Sequence, residues 1–518
     1  MGIILVLCLG VCSIILLSCG WRALVWVWWK PLKLTEYMKK QGVNGPPYKI
    51  FYGNLKEVVA SMTQARSTPM ELSHSIVPRI LSFEDSQVHS YGKMFLSWLG
   101  PTPRLNIMDP DMIRDILSNK FGHFAKPKSH PLGKKIATGV VAYEGEKWVK
   151  HRRIINPAFH LEKLKLMLPA FSTCCGELVT KWENLVANEP CEVDVWPYLQ
   201  KLTSDVISRT AFGSSYEEGQ RIFELQTEMA LLIMQLFRTP TFFVPGFRFL
   251  PTKRHNRIRE IYKEVRSLLR DMIKTREKCM KLGEASSDDL LGILMESNLK
   301  EQTDGGNTKS MGMSIDEVIE ECKLFYFAGQ ETTSTLLVWT MVVLCMHPDW
   351  QEKSREEVMK FFGSNKITYE GLHQLKVVAM ILHEVLRLYP PVVMLARATY
   401  KTMKIGGVSV PPGVELALPI LLVHHDRDLW GEDVDEFNPE RFSEGIAKAT
   451  KGRLAFFPFG GGPRICIGQG FALTEAKMAL AMILQKFSFK LSPTYAHAPY
   501  TVITVQPQHG AQLILHKL

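Results

Sequence analysis

The 518-residue chain holds ten cysteines but no C-x-x-C pair, and no asparagine begins an N-x-Ser/Thr sequon. The first absence removes the usual zinc and dithiol-redox spacings, and the second leaves no mark of lumenal exposure. No G-x-G-x-x-G follows a predicted strand, so the chain carries no fingerprint of its own for a nicotinamide or flavin. Zinc-finger spacing, RNA-binding aromatic motifs and basic low-complexity tails are also missing, which makes nucleic acid a poor partner. No internal repeat is visible. Hydrophobic residues at 46% and charged residues at 22% exclude a disordered, collagenous or disulfide-stapled protein.

Charge is scarce where it is most telling. Residues 2–21, GIILVLCLGVCSIILLSCGW, contain none. Twenty such residues in a helix span roughly 30 Å, the thickness of a bilayer core. The first charges follow at Arg22, Lys30, Lys33, Lys39 and Lys40, and Trp21, Trp26, Trp28 and Trp29 fit an interfacial belt. The positive-inside rule then keeps the body in the cytosol. A cleaved signal peptide fits less well, since a basic n-region and a small-x-small cleavage site are both lacking. The expected organisation is an anchor over residues 1–30, a basic, proline-containing hinge over 31–50 (Gly45-Pro46-Pro47), and one catalytic domain over 51–518. The net charge of +10 sits in two places. Residues 1–50 carry +5 and residues 253–281 carry +7, so the rest is near neutral. Such segments suit a membrane surface or an acidic protein, although a solvated helix face explains 253–281 equally well.

The pattern predicts a mainly α chain with small β-sheets. Residues 81–108 read as two short strands, FLSWLG and RLNIMD, and Asp109-Pro110 opens a helix. Residues 120–144 read as a long loop, and 145–282 as helices broken near Pro240–Pro251. Residues 299–313 read as a polar loop. Ser314-Ile315-Asp316-Glu317 then forms a capping box opening a helix to about Met346. Helices follow from Pro348 and over 375–389, strands to about 423, a helix after Cys466, and strands over 487–516.

One loop carries the strongest chemical signal: Phe459-Gly460-Gly461-Gly462-Pro463-Arg464-Ile465-Cys466-Ile467-Gly468. Glycines allow close backbone approach to a flat group. One cysteine stands at a helix start, where thiolate is favoured. Arg464 can pair with an acid of that group. The loop matches F-x-x-G-x-R-x-C-x-G and resembles the haem-thiolate loop of cytochromes P450. Beside it, Ala328-Gly329-Gln330-Glu331-Thr332-Thr333, alone no more than a kink signal, resembles that family's oxygen-activation motif. Glu384-x-x-Arg387 with Pro439-Glu440-Arg441-Phe442 resembles its Glu-Arg-Arg structural lock. His383-Glu384-x-x-Arg387 lacks the second histidine of a zinc protease. Trp148-x-x-x-Arg152, on its own a surface pair, and Arg397 resemble the residues that hold the haem propionates.

The resemblance covers residues 45–518 and implies haem b with Cys466 as axial ligand, and Trp148, Arg152, Arg397, Phe459, Gly462, Arg464 and Gly468 around it. Thr332 would hydrogen-bond the dioxygen being reduced, and Glu331 would relay protons to it. The stretches Ile154–Leu164 and Pro458–Gln469 resemble the plant secologanin-synthase subfamily of the CYP72 clan, whose members oxidise terpenoids. Gly461 and Gly470 depart from it, where many members have Trp and Asn. The implied reaction is insertion of one oxygen atom into a lipophilic terpenoid, an oleanane-type triterpenoid first, an iridoid or gibberellin-type diterpenoid next. Electrons would come from NADPH through a flavin-bearing reductase, with cytochrome b5 as a further partner. Lys451 and Arg453 are candidate reductase contacts. The implied location is the endoplasmic-reticulum membrane, single-pass. Two rivals are an oxygen-independent haem-thiolate isomerase or dehydratase, which tends to lose the acid-Thr pair, and a haem sensor or electron carrier, which closes both axial sites. Residues 120–142, 237–250, 392–396 and 497–509 are the expected substrate-facing segments.

Overall fold

The computed structural model describes residues 2–119, 122–128, 130–186, 189–214, 216–244, 246–282, 289–303 and 312–518. Parts of the expected 120–142 and 237–250 segments, and residues 304–311 of the expected loop, lie outside them. It is mainly helical with four small sheets among the described residues. One hydrophobic cluster runs from Met38 to Leu515.

The helix Ile315–Met346 is the axis. Ser314 and Glu317 close the expected capping box, each side chain bonding the other's backbone N–H. The helix packs most extensively on Val195–Phe212, and also touches Lys376–Leu388 and Gln469–Lys486. At Gly329 the contact with Val195–Phe212 is so close that a Cβ would lie 2.7 Å from Ile207 Cγ1. Gly329 is therefore a helix-packing glycine.

The five-stranded sheet begins with the antiparallel pair Met94–Leu99 and Thr102–Ile107 and continues through Glu415–Leu418, Leu395–Thr399 and Phe124–Ala125. Asp109 caps the helix Pro110–Ser118 by accepting from Asp111 N and Met112 N, as Asp-Pro predicts. Three sequence readings need correction. Ser82–Tyr91 is a helix preceding the first strand. Ile420–His424 is a helical turn where a strand was expected. The helix Leu290–Thr303 runs into the stretch expected to be loop.

The N-terminal apolar helix is longer than the expected anchor. Gly2–Leu24, a π-turn Val25–Trp29 and Lys30–Lys39 form one continuous span of 38 residues, and its apolar window has no buried residue. The π-turn holds the Trp-rich segment, and Tyr48 donates a 2.5 Å hydrogen bond to Val27 O. Residues 31–50, expected as a hinge, are thus helical to Lys39, and then Leu96 N bonds Asn44 O. Met38 and Val43 are buried in the core. A cavity of about 590 Å³ lies where this helix meets the sheet, lined by Trp26, Trp29, Trp98 and Pro103 among others, none of them a candidate site residue.

Candidate functional site

The Cys466 loop is closed by a hydrogen bond from Cys466 N to Phe459 O, 2.9 Å, and ends at Gly468, the N-cap of Gln469–Lys486. Gly462 has φ +66, and a Cβ there would lie 2.1 Å from Leu117 O. Gly462 thus packs closely against the end of Pro110–Ser118. Nothing but Phe159, at 4.0 Å, limits a side chain at Gly468. Cys466 is ringed by protein, yet its side chain is open to a solvent probe, so it lines a cleft. Burial raises its thiol above the usual range; the Gly468 backbone N–H and the Arg152 charge oppose this.

Cations gather beside this loop. Arg152, on Gly145–Ile155, donates 3.0 Å to Ile465 O. Arg464 pairs with Glu144 at 2.7 Å, donates to Tyr143 O at 2.9 Å, and lies 4.4 Å from the centre of the Trp148 ring. The face of Trp148 is thus covered by Arg464 and not by its helical neighbour Arg152. Arg397, on Leu395–Thr399, is 4% exposed, and among the described residues its guanidinium has one hydrogen bond, to the adjacent Ala396 O. Burial and the nearby Arg464 lower it to about 10. Lys126, absent from the sequence reading, joins this group: burial, then Arg397 and Arg464, lower it to about 8. Among the described residues the one carboxylate paired with these four cations is Glu144, which also accepts from Lys126 N.

A buried acid–imidazole contact places Trp148 and Arg152. His151, on the same helix, sits 2.5 Å from Glu321 of the long helix through Nδ1. Val140 N donates to Glu321 at 3.0 Å, and Lys147 pairs with Glu317 at 2.7 Å. Sequence reasoning missed this brace. Its signal was Glu317 and Glu321, one turn apart on the long helix.

The long helix has one half-open stretch. From Glu321 to Leu344 every residue is buried except Phe327, Ala328, Gly329 and Thr332. With Gly329 turned to Ile207, the opening falls on Phe327, Ala328 and Thr332. Thr332 Oγ1 donates to Ala328 O, 2.9 Å. Glu331 points elsewhere: its Oε1 accepts from Thr504 Oγ1, 2.7 Å, and from Gln506 Nε2. Burial raises its carboxyl, opposed by these two donors. Aromatic rings join the long helix to the helix after Cys466: Phe325 stacks on Phe159, 5.5 Å, and Phe159 meets Phe471 of Gln469–Lys486 edge-on, 6.3 Å. The half-open apolar residues Val392, Val393 and Met394 pack against the same core. Of the reductase candidates, Lys451 is exposed and Arg453 lies 3.6 Å from Asp111.

The family model for Cytochrome P450 matches residues 80–514. Cytochrome P450 CYP72A616 of Paris polyphylla is 60% identical over 495 residues, 95% of each chain. Cytochrome P450 CYP72A219 of Panax ginseng is 57% identical over 521 residues, the whole of both chains. Cytochrome P450 72A15 of Arabidopsis thaliana is 55% identical over 500 residues, 96% of each. The chain belongs to the cytochrome P450 family, within its plant CYP72 group, and is a haem-thiolate monooxygenase.

Proposed function

We propose that this cytochrome P450 oxidises an oleanane-type triterpenoid, held over the half-open face of the long helix, with electrons passed from NADPH by a reductase. The observation that carries the reading is the opening at Phe327, Ala328 and Thr332 in a helix buried on both sides of it. A cation-lined cleft with an open cysteine flanks it, and the apolar turn Val392–Ala396 suits a large apolar body.

The residues fit a haem. Four cations against one carboxylate leave a surplus of positive charge that two propionates would largely offset, and Cys466 offers the axial sulfur. Arg152, Arg397, Arg464 and Trp148 would hold the propionates, with Lys126 beside them. Phe459, Gly462 and Gly468 shape the loop that presents Cys466. The haem, bound through that thiolate, supplies the oxygen-activating chemistry. Thr332 offers a hydroxyl at the opening, and Glu331, one residue before it, supplies a proton-carrying carboxyl. The helix Gly2–Lys39 anchors the enzyme in the endoplasmic-reticulum membrane as its single span, and residues 51–518 work as one haem-binding domain on the cytosolic side. Cytochrome b5 is a second electron donor. The resemblance to secologanin synthases favours a terpenoid; an iridoid or gibberellin-type diterpenoid is the second reading.

The test uses microsomes containing this chain and a plant reductase, fed with triterpenoid acids, iridoid acids and gibberellins, and read by mass spectrometry. A triterpenoid product with one added oxygen is expected. Turnover of iridoids or gibberellins alone moves the substrate class. Thr332→Ala and Glu331→Gln are each expected to lower product per NADPH on the order of tenfold or more, with peroxide in its place. Unchanged coupling removes the proton-delivery role.

A further inference from the structure

The carboxyl of Glu331 is only 6% exposed and makes no hydrogen bond within its own helix. Both of its donors come from the C-terminal hairpin, in which Pro499–Thr501 pairs with Val505–Pro507 and residues 502–504 form the tip. The hairpin is itself tied down. Trp339 Nε1 donates to Val505 O, 2.6 Å, and Val505 N donates to Pro391 O, 3.1 Å. Thr335 Oγ1, one turn beyond Glu331, donates to Glu331 O at 2.8 Å and lies 3.2 Å from Thr504 Oγ1, while the Thr504 hydroxyl gives its proton to Glu331 Oε1.

Thr504 and Gln506 bond the same oxygen, Oε1. Among the described residues Oε2 has no hydrogen bond, so one oxygen is clamped and the other is left to carry a proton. We propose that Thr504 and Gln506 are positioning residues for Glu331: they hold Oε1 on the hairpin, keep the carboxylate ionised between deliveries, and present Oε2 as the atom that takes up and hands on the proton. This rests on the proton-delivery reading of Glu331.

The balance of forces supports the assignment. Burial alone favours the neutral acid, whereas two donors on one oxygen favour the anion. A relay needs both states within reach. The other titratable group facing Glu331 is the Tyr500 phenol on the same hairpin, raised by burial, with the Arg66 guanidinium 5.5 Å from its ring centre. No cation or second carboxylate bonds Glu331 among the described residues, so the hairpin donors are the restraint on its charge.

The test is infrared titration of the full-length, haem-loaded protein in phosphatidylcholine nanodiscs, following the carboxylic C=O band that Glu331→Gln removes. Gln506→Leu is expected to move the midpoint up by about one pH unit, the worth of one hydrogen bond to a charged group. Thr504→Val moves it the same way, and Thr504→Ser restores it. A normal thiolate spectrum in each variant shows that the fold has survived. A midpoint that stays at the wild-type value in both Gln506→Leu and Thr504→Val overturns the clamp. The midpoint reads the clamp alone. The coupling of Glu331→Gln reads the proton-delivery role, so each idea fails on its own measurement.

Discussion

Two buried arginines of this protein are almost equally hidden from solvent and live in opposite ways. Arg387 is fully buried and uses five N–H donors: two on Glu384, at 2.8 and 2.6 Å, and one each on His424 O, Val434 O and Glu436 O. That is every donor a guanidinium has. Arg441 adds a second cation, 3.5 Å from Glu384. Arg397 is 4% exposed and bonds a single carbonyl, that of its neighbour Ala396. It stands among Lys126, Arg152 and Arg464 with Glu144 as their counter-charge. The fold completes the first site by itself. The second carries charge that the fold does not answer, and buried charge of one sign is costly unless something else answers it. A structural arginine and a ligand-holding arginine differ in their partners and not in their burial.

Breaking the completed site should have the largest effect. Arg387→Ala leaves Glu384 buried with the Asn438 N–H and Arg441 as its partners. The expected destabilisation is about 3–5 kcal/mol. Arg387→Lys is expected to fail as well, because three donors on a flexible stem cannot meet five fixed acceptors. Recovery of folded protein from membranes and the denaturation midpoint measure both; wild-type stability in Arg387→Lys would show that the five bonds are not needed. Cys466→Ser should do the reverse. In haem-depleted protein Cys466 is exposed, so stability there is expected to change by no more than about 0.5 kcal/mol. The thiolate absorption of the reduced carbon monoxide complex should vanish. Its persistence would mean that another residue is the ligand.

The same contrast governs what could be read from the sequence. Motifs whose residues meet through local geometry were legible. Glu384 and Arg387 share a helix face at i,i+3, Ser314 and Glu317 cap their own helix, and the Cys466 loop is contiguous. The family and its fold followed from those. What was missed is non-local. Lys126 reaches the cations from a stretch that reads as loop. Glu331 is held by Thr504 and Gln506, more than 170 residues away. His151 is braced by Glu321, 170 residues on. The glycines show the same limit: the sequence shows that Gly329 and Gly462 need space, and only the packing shows Ile207 and the Leu117 carbonyl beside them. The uncharged run marks the N-terminal apolar helix, but that helix continues past the uncharged residues to Lys39.

The smallest effect sharpens the comparison most, because it reads the unanswered charge directly. Lys126 titrates near 8 in the folded protein, lowered first by burial and then by Arg397 and Arg464, against about 10.4 for an unfolded chain. Between those values the unfolded state holds a proton that the folded state lacks, so stability must rise with pH across the window from about 8 to about 10.4. Lys126→Met removes the titration. In haem-depleted protein the variant should be the more stable of the two at pH 7.5, and the gap should close toward pH 10 by about 1 kcal/mol, allowing for solvent in the cleft. In haem-loaded protein the propionates answer the charge, Lys126 returns toward its ordinary range, and the gap should no longer depend on pH over that interval. Denaturation of both proteins at the two pH values decides it. A gap of the same slope with and without haem would mean that Lys126 and its neighbours are balanced by something other than the propionates.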